Sequence, residues 1–380
     1  MSRGVISGGP RSRWSCRAPV RLRLALVHDY LNQRGGAERV FAHIARAWPD
    51  APVYTALYDE RACGDLVPRA RVRVSALSRV PGANRFFRYM APLYPRVFER
   101  FDLGAFDTIV SSTTAWAKGV IVPPGAVHVC YVNAVSRFAF AYDAYVGAFG
   151  MRRIARPAIQ RLVAWDERAA LRPTVLVANS RNVAGRIREH YGREALVLHC
   201  PVDVERFTPG RGSGEYFMIA SRLLPYKRID RAIRAAQLAR VPLLVAGSGP
   251  AERALRQLAR GTTTTMLGYV DDVALNALLG EARAAVLPGE EDFGLVPLEA
   301  AAAGRPTIAL RAGGALETVV EGETGVFFDE PSAESLAAVL REFDASRFDA
   351  QRLRAHAERF SPEGFVARLR EIVGNARARA

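Results

Sequence analysis

Two cations stand five residues apart in "SRLLPYKRID" (221–230): Arg222 and Lys227. Lysine is scarce in this chain. Of 53 Lys+Arg, only Lys118 and Lys227 are lysines. The loop follows "YFMIA", a short apolar run that reads as a strand. Two cations at the carboxyl end of a strand suit a diphosphate: arginine offers a planar fork of donors and lysine a compact point charge. Those roles differ, which explains why arginine has not displaced Lys227. An incidental pair of charges on a surface loop is the alternative that this stretch alone leaves open.

The stretch "GEEDFGLVPLEAAAAG" (289–304) carries Glu291 and Glu299, eight residues apart. Two carboxylates at that spacing cannot both sit deep in a core unless they are paired. Pro297 fits the first turn of a helix. Asp292, Phe293, Gly294 and Leu295 then place backbone N–H groups at the start of that helix, where unpaired donors and partial positive charge favour an anion. Glu299 is positioned to accept hydrogen bonds from ribose hydroxyls. A solvated acidic loop capping a helix remains open. Weaker signals are Gly35–Gly36 in "NQRGGAERV" (32–40), which lets backbone approach a ligand closely, and "VAGSGP" (245–250), a strand running into Gly-x-Gly without the full dinucleotide fingerprint.

Short apolar runs alternate with helical patterns along the chain. "RLRLALVHDY" (21–30), "PVYTALY" (52–58), "FDTIVSST" (106–113), "AVHVCYV" (126–132), "TVLVANS" (174–180) and "ALVLHCPVD" (195–203) read as strands. In "GAERVFAHIARAWP" (36–49), Val40, Phe41, Ile44 and Trp48 share one helical face. "VERFTPGRGSGEY" (204–216) has proline, glycines and no periodic apolar face, so it reads as an interdomain linker. The β-α rhythm then restarts from "YFMIAS" to "TGVFFD". Repeated alternation predicts parallel sheets covered by helices. Two such runs predict two doubly wound α/β domains, 21–205 and 211–360. Ligands in that architecture lie beyond the carboxyl ends of the strands.

The chain of 380 residues has 49% hydrophobic and 24% charged residues, as in an ordinary soluble globular protein. No apolar stretch approaches the ~18 residues of a membrane span. Residues 1–20 lack the apolar core of a secretory signal and read as a disordered tail. The four cysteines include no C-x-x-C pair, which suggests neither zinc nor a disulfide framework and fits a reducing cytoplasm. The net charge of +15 lies wholly in the first half: residues 1–210 hold 31 Lys+Arg against 16 Asp+Glu, and residues 211–380 hold 22 against 22. That asymmetry points to an anionic partner or to arginine-rich compositional drift. No nucleic-acid-binding module is recognisable, so no nucleic acid is expected. No Asp-x-Asp occurs, so a metal bound by that pattern is not expected either.

Together these stretches, in this order, resemble the retaining nucleotide-sugar glycosyltransferases of family 4, with the GT-B fold. "EDFGLVPLE" resembles the family's E-x7-E block, "SRLLPYKRID" its diphosphate loop and "RGGAERV" its N-terminal glycine loop. "VANSRNVAGRI" and "PVDVERFTP" resemble the approach to its linker. The likeness covers roughly residues 21–373, and its finer features are similar to bacterial mannosyltransferases of surface-polysaccharide assembly. It implies two Rossmann-like domains facing a cleft, with a C-terminal helix, in 361–380, crossing back to the first. Arg222 and Lys227 would neutralise the departing diphosphate, and Glu299 would hold the ribose. Glu291, with the backbone of Phe293 and Gly294, would hold the donor sugar. Backbone near Tyr269 and Val270 would read the base, and Gly35 and Gly36 would face the phosphates. The implied donor is a nucleotide sugar, GDP-mannose, with no other cofactor. The implied acceptor is a glycan or a lipid-linked sugar.

One slot departs from the pattern. Relatives often carry Y-x-H-x-P-x-R-[FY] where this chain reads "YVNAVSRF" (131–138). Asn133 takes the histidine position and Val135 the proline position, while Arg137 and Phe138 are retained. Asn133 can donate a hydrogen bond but cannot carry a proton near neutral pH. His128, five residues earlier, reads as a packed strand residue. The acceptor side would be the first domain, where "RVPGANRFFRYMAPLYPRVFERF" (79–101) interleaves arginines with aromatics. That mixture suits peripheral contact with an anionic membrane on its cytoplasmic face, or a core-packing helix pair with snorkelling arginines.

Overall fold

The computed structural model describes residues 22–136, 156–210, 212 and 214–379. It contains two sheets, both parallel throughout. The first takes β1 (Leu24–His28), β2 (Val53–Thr55), β3 (Val72–Val74), β4 (Thr108–Thr113), β5 (Val127–Val132), β6 (Val175–Ala178) and β7 (Leu196–Val197), in the order β3-β2-β1-β4-β5-β6-β7. The second takes β8 (Phe217–Ala220), β9 (Leu243–Ala246), β10 (Thr264–Gly268), β11 (Ala284–Leu287), β12 (Thr307–Leu310) and β13 (Gly325–Phe328), in the order β10-β9-β8-β11-β12-β13. Strands β1, β4, β5 and β11 are buried along their whole length, as strands covered by helices on both faces must be.

In each sheet the chain reverses its direction of travel between two neighbours, β1 and β4 in the first and β8 and β11 in the second. Adjacent loops leave to opposite faces at such a point and open a crevice beyond the carboxyl ends. Gly35–Gly36 follow β1, Arg222 follows β8 and Glu291 follows β11, so the sequence motifs collect at these two crevices.

Several elements differ from the sequence reading. Strand β3 is only three residues of an arginine-flanked segment, too short to show a period. The strand expected over 195–203 shrinks to Leu196–Val197, an exposed edge pair, and the chain then leaves the sheet to bury Cys200, Val202 and Val204. The predicted linker starts as a 3-10 turn, Val204–Arg206, with Phe207 buried behind it. Helix Pro362–Ala378 buries Phe365, Leu369, Ile372, Val373 and Ala376 along one stripe. It lies on the first domain: Arg370 donates to the Ala47 carbonyl at 2.6 Å, and the rings of Phe365 and Tyr131 meet edge to face at 5.5 Å. Among the described residues no helix is long and apolar enough to cross a membrane.

Candidate functional site

A cleft of about 700 Å³ runs between the two domains. One wall is built at the β8/β11 crevice. After β8 the chain crosses into a 3-10 turn, Pro225–Lys227, and Lys227 Nζ donates to Glu291 Oε1. Glu291 is buried and Lys227 half-buried. Arg222 also lines the cleft; its guanidinium is exposed and forms no ion pair with any described residue. The Gly-x-Gly after β9 packs against this loop, and Gly247 and Ser248 also line the cleft. A side chain on Gly247 would stand 1.9 Å from the Ser221 carbonyl oxygen, so only glycine lets the two loops stack.

Helix Leu295–Ala302 begins at the cleft, with Gly294 before it at φ +85°. Glu299, on that helix, lines the cleft, and its carboxylate takes no hydrogen bond from any described residue. Burial raises its carboxyl above the usual range, against the pull of Arg206 and Arg39. Tyr269, 75% exposed, and Val270 line the rim just ahead of helix Asp272–Glu281.

The facing wall belongs to the β1/β4 crevice. Gly35 is extended (φ −122°), a backbone that any residue adopts. A Cβ on Gly36 would stand 3.1 Å from Leu295 across the cleft, and one on Gly35 2.6 Å from the Glu38 carboxylate and 3.9 Å from Arg222 Nη1. His28, at the end of β1, stacks on Phe41 with ring centres 4.4 Å apart. Its Nδ1 lies 3.0 Å from the Ser112 carbonyl, which fixes Nδ1 as the donor and Nε2 as an acceptor. Burial keeps this imidazole below its ordinary pKa. The next residue, Asp29, has a fully buried carboxylate. It accepts from the hydroxyls of Thr113 and Thr114 and the backbone N–H groups of Thr114, Ala115, Trp116 and Ala117, at 2.6–3.0 Å. This one carboxylate shapes the loop after β4.

Asn133 lies on the cleft wall, but its NH2 group is committed to Ser112 Oγ at 2.9 Å and the Thr113 carbonyl at 3.3 Å. The expected donor is therefore spent within the first domain, and only Oδ1 is left to accept. Arg137 and Phe138 lie outside the described residues, as does the 1–20 tail. His128 is a packed strand residue as expected: Nε2 bonds Ser111 at 2.8 Å, and burial pulls the imidazole down to about 3.

Asp292 lines the cleft, and its side chain also reaches the first domain. Its carboxylate meets Arg186 at 2.6 Å, and its carbonyl accepts from Ser180 at 2.6 Å. Asn182 Nδ2 reaches the Glu291 carbonyl at 3.2 Å, and Glu317 accepts from the N–H groups of Arg181 and Asn182 and from His199. Helix Arg181–Tyr191 of the first domain thus grips the loop that carries Glu291. On the opposite side Asp272 receives Arg39 at 2.7 Å and Arg206 at 3.1 Å. The sequence reading passed over these anchors, although "VANSRN" signals them with a Ser N-cap and clustered amides. It also passed over Asp29, whose signal is a carboxylate directly after a buried strand. Phe293 is buried and stacks on His199 at 5.5 Å, so its contribution to the cleft is backbone.

A family model described as Glycosyltransferase Family 4 matches residues 34–206, and one described as Glycosyl transferases group 1 matches residues 203–360. The chain belongs to glycosyltransferase family 4. A D-inositol 3-phosphate glycosyltransferase of Geodermatophilus obscurus is 33% identical over 248 residues, 56% of this chain and 55% of that one. A Mycolicibacterium smegmatis protein named GDP-mannose-dependent alpha-(1-6)-phosphatidylinositol monomannoside mannosyltransferase is 31% identical over 50% of this chain and 60% of its own. The chain thus spans a little over half the length of these curated relatives. Among solved structures, WaaG, a glycosyltransferase of lipopolysaccharide biosynthesis, matches with TM-score 0.65 and 21% identity over 92% of this chain and 99% of its own. Anabaena HepE, crystallised with UDP and glucose, matches with TM-score 0.66 and 17% identity over 93% of this chain and 100% of its own. Those two likenesses establish the GT-B fold of this family 4 chain.

Proposed function

We propose that this family 4 protein transfers a hexose, mannose from GDP-mannose, with retention of configuration, to a glycan or lipid-linked acceptor. The observation that carries the reading is the Arg222 guanidinium, without an ion pair among the described residues, on one cleft wall with the Lys227–Glu291 pair, across from Gly35–Gly36. Negative charge grows on the β-phosphate as the glycosidic bond breaks. Preorganised cations stabilise that charge more in the transition state than in the ground state. Glu291, held by Lys227, accepts from donor-sugar hydroxyls; Glu299 accepts from the ribose; backbone at Tyr269–Val270 meets the base. The acceptor hydroxyl attacks from the face that the diphosphate leaves and passes its proton to a phosphate oxygen. No other cofactor enters this reading. The name of the Mycolicibacterium relative supports mannose, and the UDP bound to HepE supports a UDP-sugar as the rival donor.

The acceptor side lies on the first domain, where Arg85, Phe86, Tyr89, Leu93 and Arg96 are exposed and Tyr89 lines the cleft. That surface supports peripheral contact with an anionic cytoplasmic membrane. Sedimentation with anionic vesicles at low and high salt tests it, and no binding at low salt removes it.

Turnover of GDP-mannose, UDP-glucose and UDP-N-acetylglucosamine, with the product anomer read by NMR, tests the main reading. An inverted product, or unchanged transfer by the double variant Arg222→Ala/Lys227→Ala, overturns it. Asn133 supports a second reading, a sugar-nucleotide-binding relative without turnover. Donor binding with no transfer by the wild-type chain, and transfer by Asn133→His, favours that one.

A further inference from the structure

The first-domain wall of the cleft holds two buried polar groups with no part in the diphosphate chemistry, His28 and Glu38. They are 1% and 4% exposed, and both line the cleft. The His28 ring is pinned between Phe41, on which it stacks, and the Ser112 carbonyl, which takes its Nδ1–H at 3.0 Å. Nε2 therefore keeps its lone pair. It has no partner among the described residues, yet it is not shut from solvent. Burial lowers the pKa of this imidazole against the pull of Glu38 and Asp29, so the ring is neutral at pH 7. Glu38 is the third residue of helix Gly36–Ala47. A glutamate there commonly turns back to the N–H of the residue before the helix; here that residue is Gly35, and no such bond forms. Its Oε1 accepts from Gln33 Nε2 at 3.1 Å, and no cation among the described residues forms an ion pair with it. Its Oε2 lies over Gly35, 2.6 Å from where a Cβ would stand, with Arg222 Nη1 of the second domain 3.9 Å from the same point. This oxygen is also without a partner and not shut from solvent. A buried carboxylate with a single neutral donor is under-satisfied. Ser112 also holds Asn133, whose amide donates to its hydroxyl at 2.9 Å and leaves Oδ1 to accept. Of the arginines on this wall, Arg39 is given to Asp272 and Arg34 to Asp65, and Arg88 lies over the Phe87 ring at 4.4 Å.

We infer that Glu38 and His28, with Asn133, set the specificity for the acceptor: they take the hydroxyls of a neutral polyol, a sugar ring, and turn away one that carries a phosphate there. Fixed hydrogen-bond acceptors need donors, and hydroxyls supply them. A hydroxyl on Glu38 makes a charge-assisted bond, whereas a phosphate meets the same carboxylate as a like charge in a site with little water. The position also suits attack. Because Arg222 Nη1 approaches the point that Oε2 overlies, a hydroxyl held by Glu38 lies beside the diphosphate that Arg222 receives. The word acceptor rests on the sugar-transfer reading; the polyol site itself does not.

Two measurements on the full chain test this. Saturation-transfer NMR, with GDP and UDP present, gives the affinity for methyl α-D-mannopyranoside, myo-inositol and mannose 6-phosphate. Steady-state transfer from GDP-mannose and UDP-glucose gives the acceptor KM for the same three. The neutral compounds are expected to bind about tenfold or more tightly than mannose 6-phosphate. Glu38→Gln should weaken the neutral compounds about tenfold, the loss of one charge-assisted contact, and narrow their lead over mannose 6-phosphate, while nucleotide affinity does not fall. A merely structural role for Glu38 would not narrow that lead. His28→Phe keeps a ring on Phe41 and loses Nε2, and should weaken the neutral compounds similarly. Circular dichroism checks its fold, and Glu38→Gln is decisive if it misfolds. No binding of either neutral compound, equal binding of mannose 6-phosphate by the wild-type chain, or a lead that Glu38→Gln leaves unchanged overturns the inference. Polyol binding that behaves as expected without turnover of either donor leaves the site standing and removes the sugar-transfer reading. Transfer whose acceptor KM ignores Glu38→Gln does the reverse.

Discussion

Lys227 donates to Glu291 from the loop beyond β8 to the loop beyond β11, so one ion pair joins the two strand ends that flank the crevice. The pair restrains both side chains, while Arg222, on the same cleft wall, forms no ion pair with a described residue. Charge and position at this wall are therefore set before any ligand arrives, which is what electrostatic preorganisation requires.

Lys227→Met should cut kcat about a hundredfold or more, roughly 3 kcal/mol, with a smaller change in KM. Glu291→Gln should retain the fold yet lower kcat/KM. Steady-state kinetics beside thermal melts checks both. An equal loss of melting temperature and of activity would mean that the pair is only structural.

Asp29 should be the most sensitive acid of the first domain. Asp29→Asn places an amide NH2 against several inward-pointing donors, and the expected loss is more than about 3 kcal/mol in urea unfolding.

Lys118, the other lysine, is buried and donates to Asp166 at 2.5 Å and Ser136 at 3.1 Å, while Tyr191 donates to the same carboxylate at 2.6 Å. Burial opposes its ammonium, but Asp166 more than offsets this and raises the pKa. Lys118→Met strands a buried carboxylate and should cost about 3–5 kcal/mol; Lys118→Met/Asp166→Leu should recover much of it. Denaturant titration of the single and double variants measures the difference.

Glu299 gives a pH-dependent signature. Its folded pKa is raised by burial, so ionisation disfavours the folded state: its contribution is fully present below the unfolded value of 4.5 and is lost as pH rises through the folded one. At neutral pH the carboxylate costs stability. Glu299→Gln should raise the melting temperature at pH 7, not at pH 4, and raise the donor KM about tenfold. Melts at both pH values, with donor titrations, test this.

Asp272 behaves in the opposite sense. Burial alone would raise its pKa, but Arg39 and Arg206 bring it below 3.8. Its contribution is therefore present above 3.8 and lost as pH falls through the depressed value. The contact between domains at Asp272 should persist from pH 5 to 8 and loosen with salt, since the group is 41% exposed. Small-angle scattering should show Asp272→Ala larger than wild type at low salt, and the two converging at high salt.

Much was decided by the chain itself. Alternation of buried strands and one-sided helices fixes a parallel α/β architecture, because each pattern can bury its apolar residues in only one way. Arg222, Lys227, Glu291 and Glu299 stood out in the sequence as charges beyond strand ends, and the fold brings all four to the cleft wall. Three-residue β3 was not legible, since a period needs more than one repeat. Nor could the sequence say that Asp29 gathers six donors, that the Asn133 amide is spent within its own domain, or that the Asp292 carboxylate meets Arg186. Those outcomes depend on which distant donors and acceptors the folded chain brings within 3 Å. Pairing of that kind is a property of packed surfaces in three dimensions, and spacing along one strand of sequence does not encode it locally.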